Sequence, residues 1–201
     1  MLLCGNAAFS HVVLDQARAL AGSNYKAVFR VSHGCEGLPT TGIAVQLPVG
    51  VQGAKPMPKA GWALATTVDT LPQPYVSHGK TVTQDVTEIR WTATNQDAAL
   101  PDAHFDEFTL RVTLPVAAGP LWFGVVQTCG DGQRQGRNAW TQVPASGTST
   151  QGLKTPAALL QVESASGASA AVTPVSGAPS LAAPLPVAPV LAPVPAAHAH
   201  H

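Results

Sequence analysis

The chain has 201 residues, with 11 Lys and Arg against 11 Asp and Glu, and charged residues make up only 11% of it. So sparse and balanced a charge excludes a nucleic-acid binder, which needs clustered Lys and Arg to meet phosphates. The 18 Gly and 18 Pro exclude long helices, whose interiors both residues weaken, and leave an all-β domain with many turns, followed by a tail, as the expected class.

The opening residues, MLLCGNAAFS, read as a partial signal-peptide remnant over 1–10. They are apolar and end in Ala8-Phe9-Ser10, with small residues at both key positions of a cleavage triplet, but they lack a basic leader and a full apolar core. Cleavage after Ser10 would make His11 the first residue of an exported chain, periplasmic or extracellular. It would also remove Cys4 and leave Cys35 and Cys129 as an even pair. In an oxidising compartment that pair is expected to form one disulfide. Closing so long a loop constrains the unfolded state by about 4–5 kcal/mol in the chain-entropy model.

Residues 11–145 carry the strand signal. VLDQARALAGS has room for one helical turn but is not assigned to a helix. After it, YKAVFRV sets Tyr25, Ala27, Phe29 and Val31 on one face, and IAVQLP alternates Ile43, Val45 and Leu47. TEIRWTA alternates Ile89, Trp91 and Ala93, and FTLRVTLP alternates Phe108, Leu110, Val112 and Leu114. Alternation with period two is the pattern of half-buried strands. LWFGVVQTC is nearly continuous and reads as a central strand. Pro48 and Pro115 each close a run, where a ladder donor would be lost. Together these runs predict an immunoglobulin-like antiparallel β-sandwich. His33, in step with Val31 and Cys35, is expected to point inward and take a hydrogen bond. His78 in YVSHGK falls in a turn, and His104 in PDAHFDEF in a solvated loop.

From 146 to 201 the composition shifts to Ala, Pro, Val, Leu, Ser and Gly. The run LAAPLPVAPVLAPVPAA is apolar, but its recurring Pro excludes a membrane-spanning helix. It reads as a disordered, polyproline-leaning tail. The tail ends in His198, His200 and His201, a candidate secondary metal cluster.

FRVSHGCEGLPTTGIAVQLPVGV, PMPKAGW, IRWTA, FDEFTLRVTLP and VVQTCGDG, in that order between His11 and about Pro144, resemble the YcnI-like family of exported copper-binding domains. The resemblance implies an immunoglobulin-like sandwich that holds one Cu(II) in a monohistidine brace. The N-terminal His supplies its amine and a ring nitrogen, and a Glu completes the site beside a Trp. On this chain the implied ligands are His11 and Glu36 of GCEG, with Trp140 near the metal. Family members often end in a membrane anchor; none is expected here.

Elementary chemistry runs the same way. An α-amino group titrates at about 7.7–8.0, so a metal can displace its proton near neutral pH. A His in first position adds its ring Nδ1 to that amine and closes a chelate. Nitrogen and carboxylate ligands suit Cu(II), which also binds most tightly among the divalent first-row metals. Cu(I) would call for thiolates or several Met, whereas the chain after Ser10 offers Met57 alone and a paired set of cysteines.

No catalytic set emerges. Asp106 and Glu107 are adjacent on a strand and face opposite ways. CGDGQRQG lacks the GK[ST] of a phosphate loop, and neither HExxH nor CxxC occurs. The chain is therefore expected not to be an enzyme but an exported Cu(II) chaperone or scavenger, whose partners are the copper ion and other copper-trafficking proteins. Two alternatives stand beside this. One is a structural or adhesive cell-surface sandwich without a metal role. The other is a copper enzyme that cleaves polysaccharides oxidatively, which would need a second His ligand.

Overall fold

The apolar alternation decides the architecture. In the computed structural model, which describes residues 12–164, Tyr25, Ala27, Phe29 and Val31 of β3 (Asn24–Val31) all turn into the core, none more than 3% exposed. The same holds for Phe108, Leu110 and Val112 of β8 (Asp106–Thr113) and for Leu114 just beyond it. The remaining strands are β1 (Val13–Leu14), β2 (Arg18–Leu20), β4 (Thr40–Gln46), β5 (Gln52–Pro56), β6 (Trp62–Ser77), β7 (Lys80–Ala93), β9 (Gly119–Gly130), β10 (Gln135–Trp140) and β11 (Ala158–Glu163). The one helical element among the described residues is a 3₁₀ turn, Gln96–Ala98, capped by the Asn95 side chain.

Two sheets face each other. The smaller has the order β1-β3-β8-β5; the larger runs β2-β11-β9-β4-β7-β6, with β10 also paired to β9. All pairings are antiparallel except β11 with β2. Strand β9 is central, as its continuous apolar run predicts. It pairs with β4 on one side and with β10 and β11 in succession on the other. Aromatic rings pin the sheets together. Phe29 meets Phe123 edge-on at 5.6 Å, and Phe108 meets Trp62 and Trp91 at 5.0 and 5.7 Å. Full burial of rings of this size stabilises by roughly 1.5–3 kcal/mol apiece. The immunoglobulin-like antiparallel sandwich expected from the sequence is the fold observed.

VLDQARALAGS forms no helical turn; it supplies β1, opposite β3, and β2, alongside β11. Edge pairing and the burial of Leu14 outweigh a weak helical preference there. The expected end of the sandwich needs correction: it does not lie at residue 145. Strand β11, in the segment read as tail, alternates Ala158, Leu160 and Val162 into the core, and all three are buried. Its short apolar run was masked by the Ala-rich composition that surrounds it. The remnant 1–10, His11 and the tail from residue 165, including His198, His200 and His201, lie outside the described residues.

The sequence pattern also concealed the long β6–β7 arm. Pro72 and Pro74 argue against a strand, but they fall where the register jumps from Thr70–Gln84 to Tyr75–Val82, so the ladder runs past them. Strand β6 is also the edge of its sheet, where a missing N–H is tolerated. At the root of the arm Asp85 takes hydrogen bonds from the Gly53 N–H and the Tyr75 hydroxyl, at 2.7 and 2.8 Å.

Candidate metal centre

Glu36 sits on the tight connection between β3 and β4. Cys35 and Leu38 pair across it with reciprocal backbone hydrogen bonds of 3.2 and 3.0 Å. The two residues between them, Glu36 and Gly37, have φ of 52° and 79°. Positive φ at both central positions is what a type I′ turn requires, and Gly37 is the residue such a turn favours second. Glu36 is not such a residue. Among the described residues only Glu36 and His78 are non-glycine residues with positive φ. A side chain in the left-handed region costs about 1–2 kcal/mol, so the surrounding structure must hold Glu36 there.

The holding groups are visible. Cys35 is bonded to Cys129 of β9, with a Cα–Cα distance of 5.8 Å, which is the disulfide expected from the cysteine count. Cys35, Leu38 and Cys129 form a small buried cluster of their own. Gly34 donates its N–H to Asp102 at 2.9 Å. A Cβ at Gly34 would lie 1.7 Å from the Leu38 carbonyl oxygen, so only glycine fits there. Buried Gln127 donates to the His33 carbonyl and to the Thr40 hydroxyl, both at 2.8 Å, and so fixes both ends of the connection to β9. Amid this, the Glu36 side chain is exposed, and among the described residues it makes neither hydrogen bond nor ion pair. A carboxylate held on a rigid backbone and free of competing partners suits a metal ligand.

The other candidates fall at different places. Val12, the first described residue, is buried. Strand β1 runs antiparallel to β3, with Val13 opposite Arg30, so Val12 lies at the end of the sandwich where β3 leads on to Glu36. Val12 and Val13 share a shallow hollow with Ala157 and Ala158. Ala158 pairs with Phe123, two residues along β9 from Val125, the partner of Trp140. Trp140 itself is buried on the interior face of β10. It therefore lies at the level of Val12. Gly136, which faces Cys35, is four residues away on β10, or about 13 Å of strand.

Of the remaining histidines, His33 lies just before this turn. His33 is half-buried rather than inward in the core, its Nδ1 2.6 Å from the Gly34 carbonyl oxygen. His104 is exposed after a turn in which its N–H donates to Pro101. His78 occupies the tip of the β6–β7 arm, about 40 Å of strand from Ala93. Among the described residues no group of three or more His, Cys, Asp or Glu side chains gathers to hold a metal. An apolar hollow of about 390 Å³ lies at the opposite end of β4 from Glu36, lined by Val49, Pro72, Pro74, Tyr75 and Pro115 among others, with no His, Cys, Asp or Glu in its lining.

The fold and the disulfide-pinned turn define an immunoglobulin-like sandwich with one built end. Comparison with known proteins gives that class a family. The family model described as "Domain of unknown function (DUF1775)" matches residues 11–162, and the chain belongs to this family. The YcnI-like proteins that the sequence resembles are members of it. The match ends within β11, in keeping with the longer sandwich seen here. No curated protein matches the chain. Among solved structures, an uncharacterised protein from Nocardia farcinica, described as having an immunoglobulin-like fold, is similar at 26% identity with a TM-score of 0.56. The match covers 76% of this chain and 97% of that one.

Proposed function

We propose that the chain is an exported Cu(II)-binding protein, a chaperone or scavenger in copper homeostasis, and not an enzyme. One Cu(II) would be held by the amine and ring nitrogen of His11 as the mature N-terminal residue and by the Glu36 carboxylate. The observation that carries this reading is Glu36 itself, an exposed carboxylate without a partner among the described residues, held at positive φ on a cross-linked turn. Strand β1 sets Val12 beside the end of β3, the strand that leads on to Glu36. The disulfide fits a periplasmic or extracellular setting. Among the described residues no helix is long and apolar enough to cross a membrane.

The test compares two forms of the chain, one beginning at His11 and one at Ser10, with His198, His200 and His201 changed to Ala. Removing the tail by a cut at Ser149 would not serve, because it would delete β11. Cu(II) is titrated into each form and followed by affinity and electron paramagnetic resonance (EPR). The form beginning at His11 should bind one Cu(II) tightly, and the form beginning at Ser10 far more weakly. Equal binding, or none, would remove the N-terminal amine from the site and leave a sandwich without this metal role.

A further inference from the structure

Glu36 directly follows Cys35 of the Cys35–Cys129 cross-link. The turn that carries it spans four residues, Cys35 to Leu38, and Cys35 and Leu38 are its only buried members. The disulfide bonds the first of these to β9. Beneath it lies β10, where Gly136 pairs with Cys129. A Cβ at Gly136 would come 2.9 Å from the Cys35 Cβ and 3.5 Å from the Leu38 Cδ1. The missing side chain at Gly136 is thus the seat into which the turn settles.

We infer that the Cys35–Cys129 disulfide and Gly136 are positioning residues for the Glu36 ligand, so that a complete copper site exists only in the disulfide-bonded protein. This rests on the reading of Glu36 as a ligand and adds a condition to it. Without the cross-link, the small Cys35–Leu38–Cys129 cluster loses its covalent element. The turn can then relax out of positive φ, because a non-glycine residue gains about 1–2 kcal/mol by leaving the left-handed region. A sandwich held by the separate main core, from Phe29 to Leu160, persists through this change. Metal sites that lose the groups orienting their ligands typically weaken by about 10–100-fold.

The test uses the chain beginning at His11 with the tail histidines changed to Ala. It compares the disulfide-bonded parent, the Cys35→Ser/Cys129→Ser double variant and Gly136→Ala, each titrated with Cu(II) well below its melting temperature. The double variant should stay folded by far-ultraviolet circular dichroism yet bind Cu(II) about 10–100-fold more weakly, with an EPR spectrum that shows the carboxylate lost. Gly136→Ala keeps the disulfide but pushes the turn off its seat. It should move affinity and spectrum in the same direction, and it carries the test if the double variant does not fold. Unchanged affinity and spectrum in a folded variant would overturn the inference while leaving Glu36 as a ligand. A disulfide-bonded parent that binds no copper at all would overturn the ligand reading and this inference with it.

Discussion

Replacing Glu36 by Asn should stabilise the protein while it removes the metal. At φ 52°, Glu36 bears the cost of a left-handed side chain, about 1–2 kcal/mol. Asn tolerates that region far better, and Asn-Gly is a favoured pair for a type I′ turn. Gly37 already occupies the second central position. The exposed Glu36 side chain has no partner to lose among the described residues. Recovering about half of the strain gives about 0.5–1 kcal/mol. For a domain of this size 1 kcal/mol shifts the melting temperature by about 2–4 °C, so the metal-free variant should melt about 1–4 °C higher. The assay is thermal unfolding of parent and variant without metal, followed by Cu(II) titration of each in the form beginning at His11. His78→Asn is the internal control, because His78 and Gly79 repeat the same geometry, with φ of 49° and 75°, at the tip of the arm. It should gain similar stability and leave copper binding untouched. A metal-free Glu36→Asn variant less stable than the parent would refute the strain argument, and one that binds copper as the parent does would remove Glu36 from the site.

Other consequences can be measured directly. Leu160→Ala, which removes a fully buried side chain of β11, should cost about 2–5 kcal/mol in denaturant titration; a negligible loss would return residues 158–163 to the tail. Burial, aided by the charge of Asp15, pushes the Tyr25 hydroxyl up to about 12 from its ordinary 10.0. Its neutral form is thus favoured by folding, so its contribution is complete below pH 10 and falls away as pH rises from 10 to 12. Denaturant titrations across that window should show stability falling in the parent, and Tyr25→Phe should remove that part of the slope; a slope that Tyr25→Phe leaves intact would assign the loss to other groups.

How much of this was legible in the sequence depends on the range of the interaction concerned. The interior faces of β3 and β8 and the Cys35–Cys129 pairing were readable, because alternation is local and two cysteines admit one pairing once Cys4 is set aside with the leader-like residues 1–10. Strand β11 was not readable, because its six residues follow a linker-like run and precede a tail of similar composition. What makes it a strand is the partner it finds in β9, at residues 119–123. Strand β6 was hidden by Pro72 and Pro74, whose missing donors are harmless only because β6 is an edge and its register jumps there. Glu36 was found through a resemblance. Its local signal was GCEG, but nothing in those four letters announces a positive φ at the Glu. That conformation follows from the disulfide, the Gly34 contact with Leu38 and the Gly136 seat, all of them set by tertiary structure.

The strain at Glu36 argues for function more strongly than its exposure does. An exposed carboxylate needs no explanation on any surface. A Glu in the first central position of a type I′ turn occupies a place where Asn, Asp or Gly would serve the fold better. The rest of the turn shows no such compromise: Gly34, Gly37 and Leu38 each suit their positions by contact or conformation. A misfit within a well-fitted turn is compatible with a residue that serves something other than folding, and His78 shares it at the tip of the arm. Misfit alone would suit any role for the side chain. The exposed Glu36 side chain has no protein partner among the described residues, which leaves it open to a group supplied from outside the fold, as the proposed function requires.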